Sequence, residues 1–434
     1  MTPRLTLSAL GICAWLTPGI FAAATTGGAA VTFNKDVAPI LQKNCQGCHR
    51  PGEPAPMPLL TYKQVRPWAA AIKEAVALKK MPPWFADAHY GKWSNDRSLS
   101  KADIDTIARW VESGAPEGDA KEAPVPVKFL DGWNINKPDM VLEMTSDFHV
   151  PAKGTIDYQY ILVPGKFTED KWVSMAEVRP GNRAVVHHVI AFVRPPGSKW
   201  MKDAQPGIPY VPKKGEGGGQ GEFLVGFAPG VVPQMLEPGR ARLIKAGSDI
   251  IFQMHYTANG KDAEDRTRIG LVFAPEAPKE RIYTLAAANN KFAIPAGDAN
   301  HQVDAQFEFA KDTRVVAFLP HMHLRGKDFE YRVKYPDGHT ETLLKVPHYS
   351  FSWQLSYLPA KDLELPAGAV IECTAHFDNS ANNPDNPDPG QVVRYGDQSW
   401  EEMMIGFFDV AIDPKMDPKE LMPKRQSNAP RPAL

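Results

Sequence analysis

The sequence has few cysteines, almost no net charge and only one long apolar run. Four cysteines among 434 residues are too few for a fold that depends on disulfides. The 49 basic residues nearly balance the 50 acidic ones, so charge gives no reason to expect a nucleic-acid partner. After residue 24, no stretch is long and apolar enough to cross a bilayer. The remaining composition, with 43% hydrophobic residues, is that of a globular chain.

The one apolar run stands at the start of the sequence. Arg4 precedes a run from Leu5 to Phe21, and three alanines follow at 22–24. This order of charged, apolar and small residues is typical of a secretory signal peptide. We therefore expect residues 1–24 to be cleaved and the protein to be periplasmic or secreted. A retained membrane anchor is the alternative, because the run nears the lower length limit for a span, but Pro18 and the alanines favour cleavage.

Two of the remaining cysteines belong to a haem-attachment pattern. Cys45, Cys48 and His49 form C-x-x-C-H, in which two thiols add to the haem vinyl groups and the histidine ligates the iron. A thioredoxin-like redox pair is the rival interpretation, but no βαβ pattern surrounds the motif. The sequence therefore predicts one covalently bound haem c, with its iron. Export agrees with this prediction, because covalent haem attachment takes place on the periplasmic side.

Residues 31–116 have the pattern of a small all-α cytochrome c-like domain. Apolar residues at helical spacing predict a helix before the haem motif, a second from Gln64 to Leu78 and a third that is capped by Ser100. Between the last two helices, a proline-rigid loop carries Met81, which we predict to be the second axial ligand of the iron. Met57 is the alternative ligand.

The rest of the chain has the pattern of β-structure. After a charged, proline-rich linker at 117–130, short alternating runs are separated by glycine and proline, with little helical periodicity. These residues are too many for one β-sandwich, so we expect two, at 131–278 and 279–412, followed by a tail at 413–434. The predicted fold is thus multidomain, with a small all-α domain followed by two mainly-β sandwich domains.

Five histidines in the β region have spacings that suit metal binding. His321 and His323 are two residues apart, so on a strand they face the same way and can share an ion. His187 and His188 are adjacent and point to opposite faces, so a shared site needs a bulge or the use of different ring nitrogens. His255 lies in a separate strand-like run. For each histidine alone, a hydrogen-bonded structural role is the alternative.

Four segments of the β region become informative when they are taken together. The segments are Val186-His187-His188-Val189, Gln253-Met254-His255-Tyr256, Ala317-Phe318-Leu319-Pro320-His321-Met322-His323-Leu324-Arg325-Gly326 and Glu401-Glu402-Met403. In order, spacing and neighbours, over roughly residues 130–412, they resemble the copper type II, ascorbate-dependent monooxygenases, the family of peptidylglycine α-hydroxylating monooxygenase and dopamine β-monooxygenase. The resemblance implies two jelly-roll-like sandwiches that each hold one copper ion.

The resemblance also implies the ligands of both copper ions. The implied sets are His187, His188 and His255 for the electron-storing copper, and His321, His323 and Met403 for the copper that binds and activates O₂. The ligand chemistry of the second set agrees, since a thioether beside two imidazoles favours Cu(I). Met404 is the alternative to Met403, and Gln253 is expected to help connect the two sites.

Two departures from the family bear on the substrate. In the peptide-amidating enzyme, an arginine and a tyrosine grip the substrate carboxylate, and Leu319 and Phe407 stand at those places here. A site that cannot pair a carboxylate should reject it. We therefore expect a less polar substrate.

These observations predict an oxidoreductase, an exported copper-dependent monooxygenase that hydroxylates a C–H bond of a small organic molecule with O₂. Electrons would enter through the fused haem c from an external donor, either a periplasmic or respiratory carrier or an ascorbate-like reductant. One alternative is a periplasmic haem and copper electron-transfer protein without oxygenase activity. Another is a copper-binding scaffold whose β domains bind a partner.

Overall fold

The computed structural model describes residues 30–129, 132–212, 221–228 and 230–423. The predicted signal peptide at 1–24 lies outside these residues, as do the last residue of the predicted linker and the end of the predicted tail. No helix within the described ranges combines the length and apolarity needed to span a membrane.

The helices lie in the N-terminal part and are short. Ser100 caps the last of them as predicted, because its side chain accepts a hydrogen bond from the backbone N–H of Asp103. Leu41, Ile107 and Trp110 are fully buried in the small core between the helices. The α-helices are α1 Ala38–Asn44, α2 Tyr62–Val65, α3 Ala69–Ala77 and α4 Lys101–Glu112. Single π- or 3₁₀-helical turns cover Phe33–Val37, Arg66–Trp68, Ala120–Glu122 and Pro418–Leu421.

The prediction of a small all-α cytochrome c-like domain at 31–116 is wrong. Only 12% of the described residues are helical, and long irregular segments separate the short helices. Four prolines between positions 51 and 58 and two at 82–83 explain this, since proline lacks the N–H that continues a helix. The segment between α3 and α4 lies outside the helical core. Trp84 and Trp93 pack against a β-sheet core, and the Asn95 amide donates to the carbonyl of Ser356 at 2.8 Å.

Strands are the main regular secondary structure of the described residues. The first strands are β1 Met140–Glu143, β2 Phe148–Val150, β3 Gln159–Val163, β4 Lys171–Arg179, β5 Val186–Arg194, β6 Glu222–Phe227, β7 Gln234–Met235, β8 Arg240–Ile244, β9 Asp249–Tyr256, β10 Ala263–Asp265 and β11 Arg268–Phe273. The later strands are β12 Glu280–Asn289, β13 Ala293–Ile294, β14 His301–Glu308, β15 Thr313–His321, β16 Gly326–Lys334, β17 Thr340–Val346, β18 Leu363–Leu365, β19 Val370–Phe377, β20 Val393–Arg394 and β21 Met404–Ile412.

A nine-stranded sheet runs through the whole β region in the order β1-β11-β4-β8-β12-β21-β15-β18, with β7 added to β4. Its first half shares one apolar core with the sheet β3-β9-β5-β6, and its second half shares another with β14-β19-β16-β17. The halves join where β8 and β12 pair in parallel, with Arg240 opposite Glu280. A buried ion pair also crosses between the halves, since Arg242 Nη2 lies 2.6 Å from Asp409 Oδ2.

The expectation of two separate jelly-roll-like sandwich domains is therefore only partly met. Two β-cores exist, but one continuous sheet belongs to both. Sequence patterning predicts alternating strands and cannot show which edge strands pair across a boundary. The shared sheet fixes the two cores relative to each other, and the candidate sites lie between them.

Candidate metal centres

The first histidine cluster is built on two neighbouring antiparallel strands, β5 and β9. His188 and His255 are direct cross-strand partners, so their side chains share a face. Between Val186 and His188 the register shifts, which makes His187 the extra residue of a β-bulge. The bulge brings His187 to the same side. A bulge is one of the two ways in which adjacent histidines can share a metal site. Here it places the rings of all three predicted ligands next to one another.

The three imidazoles form a compact set of nitrogen donors. Nδ1 of His188 lies 3.3 Å from Nδ1 of His187 and 3.3 Å from Nδ1 of His255. One ring nitrogen from each of the three lies within 4.8 Å of the others. Two nitrogens bound at about 2.0–2.1 Å to one tetrahedral metal ion are about 3.3 Å apart. The spacing therefore fits a single metal ion held by three nitrogens.

Burial keeps these imidazoles neutral. It lowers the pKa of His187, and it lowers the pKa of His255 from 6.5 to about 3, with a further contribution from His187. The pKa of His188 is lowered well below its usual value by burial and then by the neighbouring His255. A neutral imidazole has a lone pair for a metal, whereas an imidazolium does not. The cluster is thus ready to bind a cation at ordinary pH.

The second cluster is at the end of β15, beside β21. His321 lies opposite Ile405 and Leu319 lies opposite Phe407, so these four side chains share one face of the sheet. His323 is two residues further along, and its ring centroid is 5.2 Å from that of His321. The two rings lie next to each other, although His323 lies beyond the end of the strand on which the spacing argument placed it. Met322, between them, points the other way into the core.

Hydrogen bonds orient both rings of the second cluster. Nδ1 of His321 lies 2.7 Å from Oε1 of Gln354, and Nδ1 of His323 lies 3.3 Å from the carbonyl oxygen of Glu401. Because both partners are acceptors, each Nδ1 carries the proton and each Nε2 retains a lone pair. Metal-binding histidines commonly have this arrangement. Burial lowers the pKa of both imidazoles.

The two adjacent methionines have different surroundings. Met403 is partly exposed and lines the cavity that also borders His321 and His323. Met404 is fully buried and belongs to the apolar core of the second sandwich. Period-two alternation explains the difference, because Met403 shares a face with Ile405 and Met404 does not. Of the two sequence candidates, Met403 is the one on the side of the histidines.

Glu402 belongs to the segment Glu401-Glu402-Met403, and the sequence predicted no role for it. Its carboxylate accepts hydrogen bonds from the backbone N–H groups of His323 at 2.8 Å and Arg325 at 2.6 Å. It is fully buried, and burial raises its pKa to about 8. The carboxylate therefore fastens the His321–His323 loop to the segment that carries Met403. Gln354 was also missed, since nothing in its local sequence marks it as a partner of a distant histidine.

A cavity of about 1110 Å³ lies between the two sandwich cores. Its wall includes His188 of the first cluster, and His321, His323 and Met403 of the second. Gln253 also lines it, and its amide donates a hydrogen bond to the hydroxyl of Tyr160. Leu319, Ile405 and Phe407 add an apolar wall beside the second cluster.

The haem motif forms a tight turn after α1. The backbone N–H groups of Cys48 and His49 both donate to the carbonyl of Cys45, at 3.1 and 2.9 Å. Nδ1 of His49 lies 3.1 Å from the carbonyl oxygen of Met57, which leaves Nε2 as the nitrogen that can ligate iron. Burial raises the pKa of Cys45 to about 12 and also raises that of Cys48. The raised pKa values speak against a redox-active thiol pair, which requires a lowered pKa, and covalent haem attachment at this turn stays a prediction.

The other two predicted residues of this region lie outside the turn. Met81 follows α3, where its backbone N–H donates to the carbonyl of Ala75 at 3.3 Å. Met57 packs against the small helical core. The choice between them as axial ligand stays a prediction.

A buried charge network ties the haem motif to the first sandwich. Glu53 contacts Arg50 at 3.3 Å, Arg179 at 3.4 Å and Arg183 at 3.5 Å. The amide of Asn134 also donates to Glu53 at 3.0 Å. Arg179 ends β4, and Arg183 lies in the turn that leads into β5. The motif is thus held against the turn that precedes the first histidine cluster.

Comparisons with known proteins add little. No family model matches the sequence, and no curated protein matches it. Among solved structures, the VP2 subviral particle of infectious bursal disease virus is 10% identical, with a TM-score of 0.17 over 69% of this chain and 76% of that one. A structure of the Gt strain of the same virus is 8% identical, with a TM-score of 0.19 over the same shares. Likeness at this level carries no argument about fold or function.

Proposed function

We propose that this protein is an exported copper-dependent monooxygenase that hydroxylates a C–H bond of a small, largely apolar molecule with O₂. The observation that carries the proposal is that residues of both histidine clusters line one cavity between two cores joined by a continuous sheet. A storage site and a reaction site must exchange electrons, and a substrate must reach the second site. A shared cavity meets both needs.

The residues fit the metal that the sequence resemblance implies. His187, His188 and His255 would hold one copper ion through neutral imidazoles at mutually suitable distances. His321, His323 and Met403 would hold the other. When bound, copper supplies one-electron redox chemistry and O₂ activation, and haem iron supplies electrons one at a time. The two sets differ in one donor, since the second has the thioether of Met403 in place of a third imidazole. A thioether favours the reduced metal, Cu(I).

Hydrogen bonds within the protein orient the proposed ligands of the second site. Gln354 and the Glu401 carbonyl hold the two imidazoles in one tautomer, so that their Nε2 atoms face the metal position. Glu402 keeps the two ligand-bearing segments together. A ligand set fixed in this way loses little free energy to reorganisation when substrate arrives.

The part of the cavity wall beside the second cluster supports a substrate without a carboxylate at that position, although Lys291 and Arg394 line other parts of the cavity. Leu319 and Phe407 are cross-strand partners on the same face as His321. Their apolar side chains offer no partner to an anion beside the reacting position, and an unpaired buried charge is costly. The proposed substrate presents an apolar C–H group to this wall.

The position of the haem motif supports electron entry at the first cluster. The Glu53 network holds the motif against Arg179 and Arg183, and the chain reaches His187 four residues after Arg183. An external donor, either a periplasmic or respiratory carrier or an ascorbate-like reductant, would reload a haem at Cys45 and Cys48. The metal of the first cluster would then receive its electron from the haem.

One observation favours a second candidate, an electron-transfer protein without oxygenase activity. Aromatic rings cover the first cluster. The ring of Tyr158 lies 4.7 Å from that of His255, and the ring of Phe351 lies 5.0 Å from that of His187. A covered site suits electron storage. O₂ uptake that depends on a substrate distinguishes the two candidates.

The test begins with protein from the periplasm of a host that matures c-type cytochromes. One covalent haem on Cys45 and Cys48 and two coppers per chain are expected. The reduced protein is then screened with small apolar compounds for O₂ uptake that depends on the compound. Uptake with formation of an alcohol supports the oxygenase. Rapid, compound-independent reoxidation without product supports the electron carrier instead.

A further inference from the structure

Phe351 lies between the two histidine clusters and contacts both. Its ring stacks on that of His187, with centroids 5.0 Å apart and planes 14° from parallel. On the other side, the ring of His323 meets it at 5.8 Å and 77°. His255 is also near, at 6.3 Å. One phenyl ring thus touches an imidazole of each candidate copper site.

Phe351 lies in the loop between β17 and β18, and hydrogen bonds hold this loop against the second sandwich. The Tyr349 hydroxyl donates to the carbonyl of Met322 at 2.7 Å and accepts from its N–H at 3.1 Å. Gln354 accepts the hydrogen bond from His321. Near the end of the loop, Tyr357 exchanges two backbone hydrogen bonds of 2.9 Å with Phe318. The loop is therefore fixed to the second cluster, while its Phe351 ring reaches across to the first.

We propose that Phe351 is a positioning residue that closes the gap between the two sites and thereby carries their electron exchange. The inference rests on the proposed presence of copper in both clusters. With copper in both clusters, one electron would pass from the ion held by His187, His188 and His255, which would be oxidised, to the ion held by His321, His323 and Met403, which would be reduced. No bond or proton changes place, and the phenyl ring is neither oxidised nor reduced.

The physical reason is the difference between a packed contact and a gap. The Phe351 ring is in van der Waals contact with the rings of His187 and His323, so it leaves no room for water on the path between these two rings, beside the cavity that His188 and His323 line. Water in such a gap would have to reorient whenever the charge moved, and excluding it removes that cost. A smaller aliphatic side chain at position 351 would open the gap, while a tyrosine would keep the ring.

The test uses the full-length protein with haem and two coppers, all oxidised. A photochemical reductant delivers one electron per chain, and rapid freezing at increasing times captures the two Cu(II) spectra by electron paramagnetic resonance. Variants His255→Ala and His323→Ala assign each spectrum to its site. Phe351→Leu should slow the equilibration between the sites several-fold, and Phe351→Tyr should restore it. Copper content should stay at two in both variants.

A matched control comes from the same loop. Trp353 packs against Gly230 and belongs to neither cluster, so Trp353→Leu should leave the equilibration rate unchanged. Equal slowing in Trp353→Leu, an unchanged rate in Phe351→Leu, or loss of copper from both Phe351 variants would overturn the proposal. If Phe351 governs the exchange but no compound is ever hydroxylated, the oxygenase fails and this inference stands.

Discussion

Nδ1 of His321 donates a hydrogen bond to Oε1 of Gln354 at 2.7 Å. Gln354 lies 33 residues further along the chain, in the loop between β17 and β18. This contact fixes the tautomer of a candidate copper ligand. It also makes the second site depend on the loop that reaches the first site through Phe351. The geometry of one cluster is therefore tied to that of the other.

Gln354→Leu should weaken copper binding at the second site alone. Without the acceptor, the His321 ring can rotate and exchange tautomers, and loss of such a partner commonly costs about 10- to 100-fold in metal affinity. Competition with a coloured Cu(I) chelator measures both affinities. Gln302→Leu, at an exposed position on β14, is the control and should change neither. Equal affinities in wild type and Gln354→Leu would contradict this role.

Single ligand substitutions should remove one copper each. His188→Ala takes away the imidazole whose Nδ1 is 3.3 Å from both neighbouring ligand nitrogens. The copper content should fall from about two to about one per chain, with the second site intact. His323→Ala should produce the reverse loss. Metal analysis after dialysis, with the spectrum of the remaining Cu(II), identifies the site. Loss of both coppers in each variant would indicate one shared centre.

The sequence pattern could bring candidate ligands together because their spacing is local. His321 and His323 are two residues apart at the end of β15, and the bulge at His187 is one of the two ways in which an adjacent pair can share a site. The partners that orient the ligands escaped it. Gln354 and Phe351 lie in an irregular loop whose path depends on tertiary packing, and no periodic pattern marks them.

The fold was predicted only in part. Apolar residues at helical spacing do form α3 and α4, yet the all-α domain is wrong because the proline-rich segments between helices leave the helical core. Trp93, for example, packs on the second sandwich. The shared sheet was missed for a related reason. Pairing between β8 and β12 involves two residue pairs, Arg240 with Glu280 and Ala241 with Arg281, and alternation within a strand does not reveal its neighbour.

The stability of the metal-free protein should depend on pH through His255. Its pKa is lowered from 6.5 to about 3 in the folded state, so between these values the unfolded chain binds a proton that the folded protein does not. The free energy of unfolding should therefore be highest above pH 6.5 and fall as the pH drops toward 3. His255→Asn should make this fall shallower. Urea unfolding at pH 7.5 and pH 5 measures it, and identical pH dependence in the two proteins would refute the prediction.

Glu53→Ala should destabilise the attachment of the haem motif. The carboxylate is buried among three arginines, and its removal leaves Arg50 and Arg183 without a carboxylate partner, at a cost of about 3 kcal/mol. Glu112→Ala is the control, because its ion pair with Lys73 is exposed and contributes less than about 1 kcal/mol. Urea unfolding compares the two. If both substitutions cost equally little, the network does not hold the motif in place.

The central claim is that His321, His323 and Met403 form the site of oxygen chemistry, and isotope incorporation tests it most directly. With a substrate identified by the O₂-uptake screen, the reduced, copper-loaded protein under ¹⁸O₂ should yield an alcohol that carries one ¹⁸O atom. Met403→Ile should abolish this product, because it replaces the soft thioether that faces the cavity. Met404→Ile, in the core, should retain it. Product without ¹⁸O in wild type, or undiminished labelled product in Met403→Ile, would contradict the account.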